Sequence, residues 1–148
     1  FYDDLTVWEH LEYIGRLHHT EGWEQHAVDL LDRFDLTDRA DDLPTTFSRG
    51  LRQKAAIAVG FVRPFDVVLV DEPFVGLDRA GRAALLELFD DVHDDGGTLV
   101  VATHELASAD RAGRLLALRD GGLVYDGRPE DADVRALADG ADPGNGEP

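Results

Sequence analysis

Residues 67–70, Val-Val-Leu-Val, are four consecutive apolar β-formers that run without a polar break into Asp71, Glu72 and Pro73. A half-buried strand alternates apolar and polar residues, whereas an unbroken apolar run belongs to a strand covered on both faces, as in a parallel sheet flanked by helices. The pattern recurs at 98–103, Thr-Leu-Val-Val-Ala-Thr, just after Gly96-Gly97. Between the two runs, residues 79–93 read as a helix. Strand, helix, strand with uniformly apolar strands is the pattern of an α/β fold. Successive strand residues point to opposite faces, so Asp71 and Glu72 diverge at the carboxyl edge, the edge at which open α/β sheets bind ligands. Taken alone, an Asp-Glu pair after an apolar run is also an ordinary strand exit with two solvated acids.

The chain before this point reads helical. Thr6 and Glu9 form a capping-box pattern, and Val7, Leu11, Ile14 and Leu17 recur at helical spacing, predicting a helix over 6–19. A second helix over 22–34 places Trp23, Ala27, Leu30, Leu31 and Phe34 on one side. Together with Trp8 and Tyr13, these aromatics are expected to build a small helical core. Polar residues and Pro44 then interrupt. A third helix follows Ser48, which is placed to cap it, and stops before Pro64. Beyond residue 103 come a short helix near 105–112 and two short strands around Asp120-Gly121-Gly122, a hairpin signal. The last twenty or so residues are acidic, rich in Pro and Gly, and expected to fray.

Composition excludes several functions. Acidic residues number 31 against 14 basic, a formal charge of −17, and Lys54 is the only lysine. Affinity for nucleic-acid phosphates comes from clustered Lys and Arg, which this chain lacks, so no nucleic-acid partner is expected. An acid-rich, lysine-poor surface suits a cytoplasm at very high salt, where screening removes self-repulsion. With no cysteine there is neither a disulfide framework nor a thiolate metal site. His10, His18, His19 and His26 lack a repeated i, i+4 pairing and read as surface histidines. No apolar run approaches the ~18–20 residues of a spanning helix, so contact with a membrane is expected to go through another protein. The chain has no methionine, not even at position 1, and is expected to be a segment of a longer protein.

Four motifs stand in order: Phe47-Ser48-Arg49-Gly50-Leu51 at a helix start; Asp71-Glu72 at a strand end about twenty residues later; Gly76-Leu77-Asp78; and His104 after the next strand. In that order and spacing, over about residues 1–127, they resemble the nucleotide-binding domain of the ATP-binding cassette (ABC) family. They correspond to its signature, Walker B end, D-loop and switch histidine. The resemblance implies part of a P-loop NTPase core of mostly parallel strands with the family's α-helical subdomain. It divides the chain into a helical subdomain (1–65), the C-terminal half of the ATPase core (66–127) and an acidic, flexible tail (128–148).

The resemblance also implies an activity: ATP hydrolysis with Mg²⁺, energising an integral-membrane transporter subunit, with a second nucleotide-binding domain as partner. Asp71 would then hold Mg²⁺ largely through water, Glu72 would polarise the attacking water, and His104 would keep that water aligned on the γ-phosphate. Asp78, in the D-loop with Gly76 and Leu77, would couple the two sites of a dimer. Ser48 and Gly50 would bind the γ-phosphate of a nucleotide held by the other subunit. Such a protein sits in the cytoplasm, peripheral to the inner face of the membrane through its membrane subunit.

The signature departs from the family's usual Leu-Ser-Gly-Gly-Gln at Phe47, Arg49 and Leu51, while Gln53 and Lys54 match the usual Gln-Arg. Arg49 adds a cation near phosphate or points to solvent. The Ser-Arg-Gly-x-Arg-Gln-Lys form lies closest to exporter-type subunits. No G-x-x-x-x-G-K-[ST] occurs in the 148 residues, so this chain alone is expected neither to bind nor to hydrolyse ATP. Two other readings stand beside it: an ABC ATPase without a membrane partner, acting in DNA repair or on ribosomes, and a non-catalytic binding module that kept the fold.

Overall fold

In the computed structural model the chain begins with the expected capping box. The Thr6 hydroxyl accepts the Glu9 N–H at 3.2 Å, and the Glu9 carboxylate accepts the Thr6 N–H at 2.7 Å. Helix α1 (Val7–Leu17) follows. The structure describes residues 1–104, 106–133 and 137, with the side chains of 106–108 excepted.

Helix α2 (Trp23–Arg33) and helix α3 (Arg49–Phe61) complete a helical group. Trp23, Ala27, Leu30, Leu31 and Phe34 are all buried, as their spacing predicts. Removing each large apolar side chain from water contributes roughly 1.5–3 kcal/mol. Trp23 packs so closely that a Cβ on Gly15 of α1 would lie 2.5 Å from its ring, and Trp8 stands 5.7 Å from it between centroids.

Three expectations for α1 need correction. Leu17, the last residue of the helix, is 54% exposed: the core contact of this turn is made by Ile14 and Gly15. Tyr13 is exposed and meets Tyr2 edge-on at 5.7 Å instead of entering the core. His10 is buried, not a surface histidine. Its Nε2 takes the Tyr2 N–H at 2.8 Å and its Nδ1 lies 2.7 Å from the Thr6 carbonyl, so both ring nitrogens are matched without solvent.

Strand β1 (Val67–Asp71), helix α4 (Arg79–Asp94) and strand β2 (Thr98–Ala102) form one β–α–β unit. The strands are parallel and in register from Val67–Thr98 to Asp71–Ala102. Gly96 and Gly97 end α4 in a Schellman turn: Gly96, at φ +88°, donates to the His93 carbonyl and Gly97 to the Val92 carbonyl, both at 2.9 Å. Val68, Val70, Leu99 and Val101 pack on the core, while Val67, Leu69 and Val100 on the other face are 50–76% exposed. The cover expected on both faces is therefore met on one, since a single crossover helix can shield only one face of its two strands.

An aromatic cluster joins these layers. Phe61 of α3 lies 6.0 Å from Phe89 of α4, and Phe74, after β1, lies 6.2 Å from the same ring.

All of this forms one compact unit, Phe1–Ala102; Thr103–Pro148 forms a second. Within the second, strands β3 (Leu115–Arg119) and β4 (Gly122–Gly127) make the expected antiparallel hairpin. Its two-residue turn has Asp120 and Gly121 at φ 49° and 77°, the sense of a type I′ turn. Arg114 grips the Asp126 carboxylate with two hydrogen bonds of 2.8 Å. The short helix expected near 105–112 is a 3-10 segment, Leu106–Arg111, with residue 105 outside the described residues. Most of the tail expected to fray also lies outside them.

Candidate functional site

Ser48 is extended and caps α3, its hydroxyl accepting the Leu51 N–H at 3.3 Å. This leaves the first backbone N–H groups of α3 at a helix N-terminus, where the helix dipole favours an anion. Of the five signature residues, Ser48 and Arg49 are exposed and Gly50 half-buried. Phe47 is buried and Leu51 packs against the core, so these two anchor the turn instead of presenting a surface.

At the end of β1, Asp71 is exposed and Glu72 half-buried. The Glu72 N–H still pairs across the sheet, donating to the Ala102 carbonyl at 2.8 Å, yet its φ is +46°. A non-glycine residue held there costs of order 1 kcal/mol or more and persists only where its surroundings fix it. The turn that follows is closed by Val75 donating to the Glu72 carbonyl at 3.3 Å and Leu77 to the Phe74 carbonyl at 3.2 Å. Pro73 and Phe74 are buried beneath it.

Gly76 sits at φ +83°, a conformation glycine adopts without strain. Its carbonyl approaches Gly50 so closely that a Cβ there would be 2.7 Å from the oxygen. Gly76 in turn lies under the Arg49 side chain, 3.4 Å from Arg49 Cγ to where its own Cβ would be. Leu77 is buried. Asp78 caps α4 through the Gly81 N–H at 2.7 Å and takes the Lys54 ammonium at 3.4 Å. The Gly81 hydrogen bond, with Lys54 beside it, holds the Asp78 carboxyl below the ordinary aspartate range.

The signature turn and the loop leaving Asp71-Glu72 are thus brought together within one unit. His104 belongs to the second unit, exposed at a bend. Along the chain it follows Ala102, the register partner of Asp71, by two residues.

Sequence reasoning gave Gln53 and Lys54 no role, yet both reach the loop: Gln53 donates to the Pro73 carbonyl at 3.1 Å, and Lys54 reaches Asp78. The available signal was spacing, since Gly50, Gln53 and Lys54 stand at i, i+3 and i+4 on one helix face.

A family model for ABC transporters matches residues 1–75, half of the chain. The chain belongs to the ABC transporter family. It is 32% identical over 143 residues to the uncharacterized ABC transporter ATP-binding protein YthP of Bacillus subtilis, covering 95% of this chain and 61% of that protein. It is 37% identical over 133 residues to the macrolide export ATP-binding/permease protein MacB 2 of Yersinia pestis bv. Antiqua, covering 87% of this chain and 19% of that protein. A solved structure described as the ATP binding subunit of an ABC transporter superposes with a TM-score of 0.83 at 30% identity, over 96% of this chain and 60% of that one. The chain therefore spans about three fifths of the Bacillus relative's length. Its mixed α/β fold with a parallel strand pair is that of such a subunit.

Proposed function

We propose that the chain is the signature-to-switch part of an ATP-hydrolysing nucleotide-binding domain, which in the whole protein drives an integral-membrane transporter subunit of the exporter type. The observation that carries this reading is the seating of Gly50 on the Gly76 carbonyl, which joins the signature turn to the loop leaving Glu72. The exporter assignment follows the macrolide-export relatives. Residues 1–65 would be the helical subdomain and 66–127 the C-terminal half of the core.

Glu72 accepts a proton from a water molecule as its oxygen attacks the γ-phosphorus. The bond from that phosphorus to the β–γ bridging oxygen breaks, and ADP and inorganic phosphate leave. His104 keeps the water aligned. Ser48, Gly50 and the free N–H groups of α3 bind the γ-phosphate of a nucleotide held by a second copy of the domain, with Phe47 and Leu51 supporting the turn from beneath. Arg49 adds a cation on the same rim. Asp78, with Gly76 and Leu77, couples the two sites of the dimer.

Mg²⁺ fits Asp71, because this ion is commonly held by one or two carboxylates with phosphate and water oxygens completing its shell. Among the described residues no cluster of three or more His, Cys, Asp or Glu could hold a metal. When bound, Mg²⁺ neutralises charge on the β- and γ-phosphate oxygens.

The protein would work on the cytoplasmic face of the membrane through its membrane subunit, in a cytoplasm of high salt. The test is phosphate release from ATP by the full-length protein, with Mg²⁺ and with excess chelator. Mg²⁺-dependent release is expected. A full-length protein that binds ATP but releases no phosphate under either condition would support a non-catalytic module instead.

A further inference from the structure

The loop Pro73–Asp78 is held from one side at three points, all by α3. Near its start, the Pro73 carbonyl, one residue beyond Glu72, accepts from Gln53 at 3.1 Å. At its middle, Gly76 rests against Gly50. At its end, Asp78 takes the Lys54 ammonium at 3.4 Å. Lys54 is the chain's only lysine and is 8% exposed, an unusual place for a strongly hydrated ammonium. Gly81 makes room for it: a Cβ there would stand 2.9 Å from Lys54 Cε and 2.9 Å from Asp78 Oδ1. The lysine stem therefore threads between α3 and the first turn of α4 to reach one carboxylate.

We propose that Lys54, assisted by Gln53, is a positioning residue that fixes the loop on which Glu72 is carried and so couples the placement of α3 to the placement of Glu72. The inference rests on the reading of Glu72 as the group that activates water. Ser48 caps the helix that carries Lys54, and the loop has buried anchors in Pro73, Phe74 and Leu77. A shift of α3 as its N-terminus engages an anion is then transmitted to both ends of the loop. The left-handed backbone at Glu72, φ +46°, is the joint that would absorb it. Lys54 touches no reacting atom in this scheme. Its effect falls on the chemical step and not on nucleotide affinity.

The experiment is steady-state ATP hydrolysis by the full-length protein carrying Lys54→Met, Lys54→Arg, Asp78→Asn, or Lys54→Met with Asp78→Asn. A misplaced catalytic group commonly costs ten- to a hundredfold in rate, so Lys54→Met is expected to lower kcat about tenfold or more with KM for ATP within about twofold. Lys54→Arg should restore at least half of the activity. Because both residues act through one contact, the double variant should be no slower than the slower single variant. A wild-type kcat in Lys54→Met, a change confined to KM, or multiplied losses in the double variant would overturn the proposal. Should Lys54→Met fail to fold, Gln53→Leu gives the same kcat-against-KM reading at the other end of the loop. Glu72→Gln serves as the control: an active Glu72→Gln enzyme removes the underlying reading, whereas an inactive one beside a fully active Lys54→Met removes this proposal alone.

Discussion

Gln53 donates to the Pro73 carbonyl at 3.1 Å, fastening the middle of α3 to the residue next to Glu72 across twenty positions of sequence. Pro73 is itself buried, so the turn leaving β1 is pinned from within and from α3 at once. The tightest part of that seat is Gly50 on Gly76, which makes it the most sensitive to a single methyl group.

Gly50→Ala places a Cβ 2.7 Å from a backbone carbonyl that cannot swing aside. Overpacking of this kind costs about 1–3 kcal/mol, against a helix-propensity gain of at most about 1 kcal/mol. A net loss is expected in urea unfolding. Gly60→Ala, in the same helix with nothing within 4 Å, should gain about 0.5–1 kcal/mol. Equal effects at the two sites would remove the Gly50–Gly76 seat.

Asp78 sets an acid sensitivity. Its carboxyl is lowered first by the Gly81 N–H and further by Lys54. A group whose folded pKa lies below its unfolded one adds stability above the unfolded value and loses it as pH falls through the folded one. Asp78→Asn keeps a competent helix cap but no titrating group, so its urea midpoint should fall less steeply than wild type below about pH 4. Parallel curves for the two proteins would contradict this.

Truncation in the core beside the β1–β2 pair and truncation on its open face should have very unequal effects. Leu85 of α4 is fully buried, and Leu85→Ala should cost about 2–5 kcal/mol. Leu69 is 76% exposed, and Leu69→Thr should change stability by no more than about 0.5 kcal/mol. In the 148-residue chain it should also reduce self-association seen by light scattering, because it breaks an apolar patch shared with Val67 and Val100.

A formal charge of −17 on 148 residues makes salt a stabiliser. Raising KCl from about 0.1 M to about 1 M shortens the screening length from roughly 10 to 3 Å and should raise the melting temperature. An unchanged or falling melting temperature would remove the high-salt reading.

Much of this architecture was legible because its signals are local. Thr6 and Glu9 announce the capping box in sequence, and the turn at Asp120-Gly121 is set by residues that tolerate left-handed backbone. Gly96-Gly97 marks the end of α4 for the same reason. What escaped depended on contacts far apart in the chain. His10 reads as a polar residue on a helix surface until the chain at Tyr2 folds over it and supplies a donor. Nothing local in the sequence pairs Lys54 with Asp78, twenty-four positions on, until the fold sets them 3.4 Å apart. The open face of Val67, Leu69 and Val100 escaped because an apolar run says that a strand can be covered twice, not which segment covers it. At the candidate site, Ser48 as a cap and Asp71 at a strand end were legible from residue type and position. The left-handed turn at Glu72 was not, since Glu carries no preference for it.

The central claim is that Glu72 activates the water that attacks ATP. Its most direct measurement is single-turnover ATP hydrolysis by full-length Glu72→Gln alongside equilibrium ATP binding by the same protein. Loss of a positioned base predicts a fall in the hydrolysis rate of about 10²–10⁴-fold with nucleotide affinity unchanged. Hydrolysis at the wild-type rate with ATP bound would contradict the account.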